Sequence, residues 1–116
     1  MSDIKRISTP HSYSSAVLAG DYVFLGLHRG FGDSFTEQIK STFGFLKETL
    51  AKLDMPLERL VKVNVWLQDI NDLPKMEQIF SEYFDEGKFP ARMTSTTEFI
   101  DDDCLVMIDG VAYRKT

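Results

Sequence analysis

Hydrophobic positions recur with two different periods along the chain, and the change from one period to the other outlines the elements. Ile4 to Ser8 reads as a short strand and "STPHSYSS" as a polar turn region. "AVLAG" and "DYVFLGLH" are extended runs that meet at Gly20-Asp21, which predicts a hairpin. After the glycine-containing loop "RGFGDS", Phe35, Ile39, Phe43, Leu46, Leu50 and Leu53 recur at helical spacing. Ser34 and Glu37 stand at capping-box distance, so a helix is predicted from Ser34 to about Leu53.

The period then shortens to two. "LVKVNVWLQD" places Val61, Val63, Val65 and Leu67 on one strand face and Lys62, Asn64 and Trp66 on the other. Asn71 or Asp72 can cap a second helix, with Pro74 in its first turn and Met76, Ile79, Phe80 and Tyr83 as its buried stripe up to Gly87. Arg92 to Phe99 and Cys104 to Tyr113 follow as strands across an "IDDD" turn. The order ββ(β)αβαββ, without repeats or an internal linker, implies crossover connections. It predicts an α+β fold with two helices on one face of a single mixed sheet.

The last strand is apolar on both sides: Leu105, Met107, Val111 and Tyr113 alternate with Val106, Ile108 and Ala112. Burial on both faces is then expected, and with both helices already assigned to one face, a second copy of the chain is the simplest cover for the other. Trp66, opposite the valine face, agrees.

Composition narrows the function classes. A chain of 116 residues with 43% hydrophobic positions and nine Phe suits one domain spanning 1–116. The net charge of −5, without a basic stripe, argues against a nucleic-acid partner. "MSDIKRIS" lacks a signal-peptide core, and no run approaches the roughly 18 apolar residues of a membrane span, so a soluble intracellular protein is expected, with no membrane partner. The one cysteine, Cys104, permits no internal disulfide and no zinc pair, and reads as a small buried hydrophobe.

"YSSAVLAGDYVFLG", "LVKVNVWLQDINDLPKMEQIFSEYF", "FPARMTSTTEF" and "CLVMIDGVA", in this order over nearly the whole chain, resemble the YjgF/RidA family. The resemblance implies a chorismate-mutase-like fold assembled as a homotrimer, with an inner β-barrel and clefts between subunits. It also implies hydrolysis of small enamines and imines of the 2-aminoacrylate type to 2-keto acids and ammonia, in the cytoplasm and without metal or organic cofactor. Arg92, in Pro90-Ala91-Arg92, takes the place of the family's carboxylate anchor. A planar guanidinium matches both oxygens of a small carboxylic acid. Tyr13 matches the active-site tyrosine; its hydroxyl can meet substrate or water, or its ring can simply pack in an interface. Thr94 stands where a cysteine is frequent, on the same strand face as Arg92, and keeps a hydroxyl but no thiol.

Other matches depart from the family. The glutamate credited with positioning water falls on Met107, which cannot do that work. Asp109 matches a second glutamate and either substitutes with shifted geometry or makes a structural interaction. The glycine lining the pocket appears as Leu27, so Leu27 and Met107 are expected to reshape the substrate-binding surface. His28, near Arg29, can exchange protons at a cleft edge, although such a residue is more often a solvated loop histidine, and neither it nor His11 is assigned to catalysis. Two rival readings stand beside the enzyme: a non-catalytic module that binds small keto acids, favoured by Met107 and Leu27, and an RNA-cleaving protein, disfavoured by the acidic balance.

Overall fold

The computed structural model describes residues 4–115; the expected span and the N-terminal reading extend beyond it at Met1 to Asp3 and at Thr116. Six strands and two α-helices run in the order β1 (Ile4–Ser8), β2 (Ser14–Ala19), β3 (Tyr22–His28), α1 (Phe35–Ala51), β4 (Leu60–Leu67), α2 (Leu73–Tyr83), β5 (Ala91–Thr96) and β6 (Val106–Tyr113). The sheet order is β1-β2-β3-β6-β4-β5, with β4 and β5 parallel and the other pairs antiparallel. This is the single mixed sheet with two helices on one face that the sequence predicts.

The hairpin closes at Gly20-Asp21, where Ala19 pairs with Tyr22 and Gly20 takes φ 63°, a conformation without penalty for a residue lacking Cβ. Ser34 caps α1, its side chain accepting from the Glu37 amide at 3.1 Å. Ile39, Phe43, Leu46 and Leu50 are fully buried, each contributing roughly 1.5–3 kcal/mol of apolar transfer. Phe43 meets Phe80 edge-on and stacks on Tyr83, which locks α1 to α2.

Several boundaries differ from the sequence reading. A register shift between Leu60 and Lys62 turns Val61 outward, so Leu60, not Val61, joins Val63, Val65 and Leu67 in the core. Ahead of α2, Asp69 accepts from the Asn71 amide, whereas Asp72 holds the cap position without a side-chain bond. Helix α2 stops at Tyr83, because Phe84 is extended and carries its ring back into the core. Strand β5 ends at Thr96, and β6 begins only at Val106.

Among the described residues, no helix is long and apolar enough to cross a membrane.

Candidate functional site

Arg92 follows Ala91 at the start of β5, an edge strand. It pairs with Val63, and Thr94 pairs with Val65; both valines are buried under the helices, so Arg92 and Thr94 belong to the helix-covered side. There the guanidinium forms an ion pair with Glu77 of α2, and its Cζ lies 5.0 Å from the centre of the Phe80 ring. Glu77, Phe80, Ser81, Phe89, Pro90 and Arg92 line a depression of about 380 Å³. The Arg92 side chain is 27% exposed, so an incoming carboxylate can reach it. The partly exposed Glu77 pair is worth about 0–1 kcal/mol, little enough for such a ligand to displace.

The other matched residues occupy the opposite, uncovered face. Between Leu25 and His28, β3 spends one more residue than β6, since Leu25 pairs with Gly110 and His28 with Ile108. The bulge reverses the alternation. Leu27 emerges on the open face, 53% exposed, while His28 turns into the core at 7%. Next to Leu27, Met107 pairs with Trp66 and Asp109 with Asn64. Asp109 accepts from Asn64 Nδ2 at 2.8 Å and from Trp66 Nε1 at 2.9 Å. Both carboxylate oxygens are thus engaged by the sheet's own side chains, the structural alternative for this residue.

Two depressions share Leu27, Asp101 and Met107 as a common wall. The first, about 490 Å³, is completed mainly by Trp66, Phe99 and Ile100; the second, about 630 Å³, by Tyr13, Ser14, Gly26 and Arg29. Tyr13 is exposed and stacks on His11 with ring centres 5.9 Å apart. Within one chain, therefore, Tyr13, Leu27 and Met107 come together, whereas Arg92 lines a separate depression and Thr94 shares only its strand face.

Residues outside the sequence reading hold the shared wall in place. Arg29, whose side chain is 11% exposed, bonds Asp101 at 2.9 Å and Asp103 at 3.1 Å and lies over the Phe31 ring. The hydrogen bond from Arg29 holds the Asp103 carboxyl below the usual carboxylate range. Gln38, buried in α1, donates to the carbonyls of Gly32 and Asp103 and accepts from the Leu105 amide. The only hint of this role in the sequence is that Gln38 lies one position before Ile39 of the apolar stripe, and nothing in it points to Arg29 pairing with the "IDDD" turn.

His28 is neither at a cleft edge nor in a solvated loop. Nδ1 lies 2.7 Å from the Gly26 carbonyl and Nε2 2.8 Å from Thr49 Oγ1. A carbonyl only accepts, so Nδ1 carries the proton and Nε2 accepts from the Thr49 hydroxyl. Burial lowers the His28 pKa, partly opposed by the Gly26 bond. Cys104 is buried, and desolvation raises its thiol pKa, in keeping with a small core hydrophobe. Among the described residues, no cluster of three or more His, Cys, Asp and Glu side chains is placed to hold a metal ion.

The family model for Endoribonuclease L-PSP matches residues 3–114. A RutC family protein of Pyrococcus abyssi is 32% identical over 111 residues, covering 89% of this chain and 87% of its own length. A 2-iminobutanoate/2-iminopropanoate deaminase of Dermatophagoides farinae is 26% identical over 125 aligned positions, covering 96% of this chain and 97% of that one. A solved structure from Streptococcus pyogenes M1 GAS, described as a hypothetical protein of the yjgF family, superposes with TM-score 0.90 at 30% identity, covering both chains in full.

Proposed function

The chain belongs to the endoribonuclease L-PSP family, the YjgF/RidA proteins, and from this premise we propose that it hydrolyses small 2-imino and 2-enamino acids to 2-keto acids and ammonia in the cytoplasm. Arg92 grips the substrate carboxylate through paired N–H donors. An enamine substrate first becomes its imine tautomer by losing a proton from nitrogen and gaining one at C3; water then adds to the C=N carbon, the resulting amino alcohol collapses, and ammonia leaves as the carbonyl forms. Such imines already react with water, so orientation and charge stabilisation supply the acceleration without a strong base. This suits a site in which Met107 stands at the place of a glutamate and Asp109 is occupied by Asn64 and Trp66.

The observation that carries this reading is Arg92 in its Pro90-Ala91-Arg92 context, with a partly exposed guanidinium beside a depression and only a surface glutamate to displace. A homotrimer would complete the site by setting Arg92 and Thr94 of one copy against Tyr13, Leu27 and Met107 of the next. Its support is the uncovered apolar sheet face, where Phe24 is 51% exposed. Purified protein is expected to speed ammonia and keto-acid release when 2-aminoacrylate is generated in the mixture, and Arg92→Ala to abolish the gain.

A second reading, a binding module for keto acids without turnover, is favoured by the engagement of both Asp109 oxygens. It would be supported by calorimetric binding of a keto acid together with no acceleration.

A further inference from the structure

Taking the cleft as a site for small carboxylic acids, the reading on which this step rests, we propose that its apolar half selects the side chain of the acid. Leu27, Met107 and Trp66 then act as specificity-determining residues that favour branched aliphatic or aromatic groups over a methyl.

The depression completed by Trp66, Phe99 and Ile100 has a volume of about 490 Å³ and walls that are mostly hydrocarbon. A methyl group would leave most of that space to water. Its shape is held from two sides. Trp66 Nε1 is committed to Asp109, so the indole cannot turn its donor toward a ligand and presents its ring instead. Arg29 ties down Asp101 and Asp103, and Gln68 Nε2 donates to the Asp102 carbonyl at 2.9 Å. Met107 lies across from Trp66 and adds a flexible thioether that fits itself to differently shaped chains.

Through Leu27, Asp101 and Met107 this apolar end adjoins the depression that carries Tyr13, Ser14 and Arg29. The combined cleft suits a molecule with a polar head and a hydrocarbon tail. Each methylene moved from water into such a pocket is worth about fourfold in affinity. Extending a methyl to an isobutyl group adds three carbons, so a preference of at least about tenfold is expected.

Trp66, the chain's single tryptophan, serves as the reporter. The full chain is titrated with pyruvate and with 4-methyl-2-oxopentanoate, following its fluorescence and, in parallel, heat. The longer acid is expected to bind at least about tenfold more tightly and to perturb Trp66 emission. Met107→Glu should remove that advantage by weakening the longer acid more than pyruvate, because a carboxylate desolvates poorly beside hydrocarbon. Leu27→Ser, at a half-exposed position, should do the same by an independent route. With Arg92 supplied to the cleft by a neighbouring copy, Arg92→Ala should weaken both acids by a common factor.

Equal affinities for the two acids, both lost in Arg92→Ala, would overturn the side-chain proposal and keep the carboxylate anchor. A preference for the longer acid that ignores Arg92→Ala would support the apolar selector and remove the anchor. Failure of either acid to bind would overturn both, as expected if a second copy of the chain fills the depression.

Discussion

At the scale of single residues, environment decides what a side chain can do. His28 is the kind of residue that invites a proton-transfer role, yet both ring nitrogens are used within the fold and burial favours the neutral ring. A base whose folded pKa lies below its unfolded value near 6.5 binds fewer protons when folded, so stability falls as pH drops below about 6.5 toward the lowered value. Denaturant unfolding measured across this range should show that loss, and His28→Gln should flatten it while costing about 1–3 kcal/mol at neutral pH through broken buried bonds. An unchanged pH profile in the variant would assign the slope to other groups. Arg92 was legible as a candidate through the family resemblance of Pro90-Ala91-Arg92, while Pro90 and the threonines mark only a strand start. Its pairing with Glu77 was not, since fifteen residues and a crossover separate the two.

At the scale of elements, the polar minority on α1 matters as much as its apolar stripe. Gln38 satisfies two carbonyls and one amide that belong to two different loops. Thr42 receives the Gly30 amide at 2.8 Å, where the loop approaches so closely that a Cβ on Gly30 would lie 2.3 Å from the Thr42 nitrogen. Replacing Gln38 with Leu keeps much of the volume and strands all three backbone groups. The expected cost is at least about 2 kcal/mol in chemical denaturation, with faster hydrogen exchange at the Leu105 amide. The apolar stripe was readable because helical periodicity is a local property. Which polar residues beside it face inward depends on where the loops return.

At the scale of the whole molecule, the sheet has one face under helices and one without cover. Phe24 and Tyr22 are exposed there, and Tyr22 rests on Tyr113 with ring centres 5.1 Å apart. Apolar surface of this kind marks an association site. If the homotrimer forms on this face, Phe24→Asp should give a folded monomer by sedimentation and circular dichroism. Imine hydrolysis should be lost with it, since Arg92 and Tyr13 lie in different depressions of one chain. A trimer that survives Phe24→Asp would place the interface elsewhere.

Local pattern alone determined the element order, the hairpin at Gly20-Asp21, the extent of α1 to within two residues, the doubly apolar last strand and the family resemblance. Each depends on residues close in the chain or on linear order. Tertiary structure decided the parity of the strands. A one-residue bulge in β3, visible only against β6, sends Leu27 out and His28 in, and a register shift in β4 sends Val61 out in favour of Leu60. The same long-range pairing brought Asp109 to Asn64 and Trp66, and Arg29 to the aspartates of the last turn. A strand's face is set by the partner it hydrogen-bonds, and the identity and register of that partner are properties of the assembled sheet.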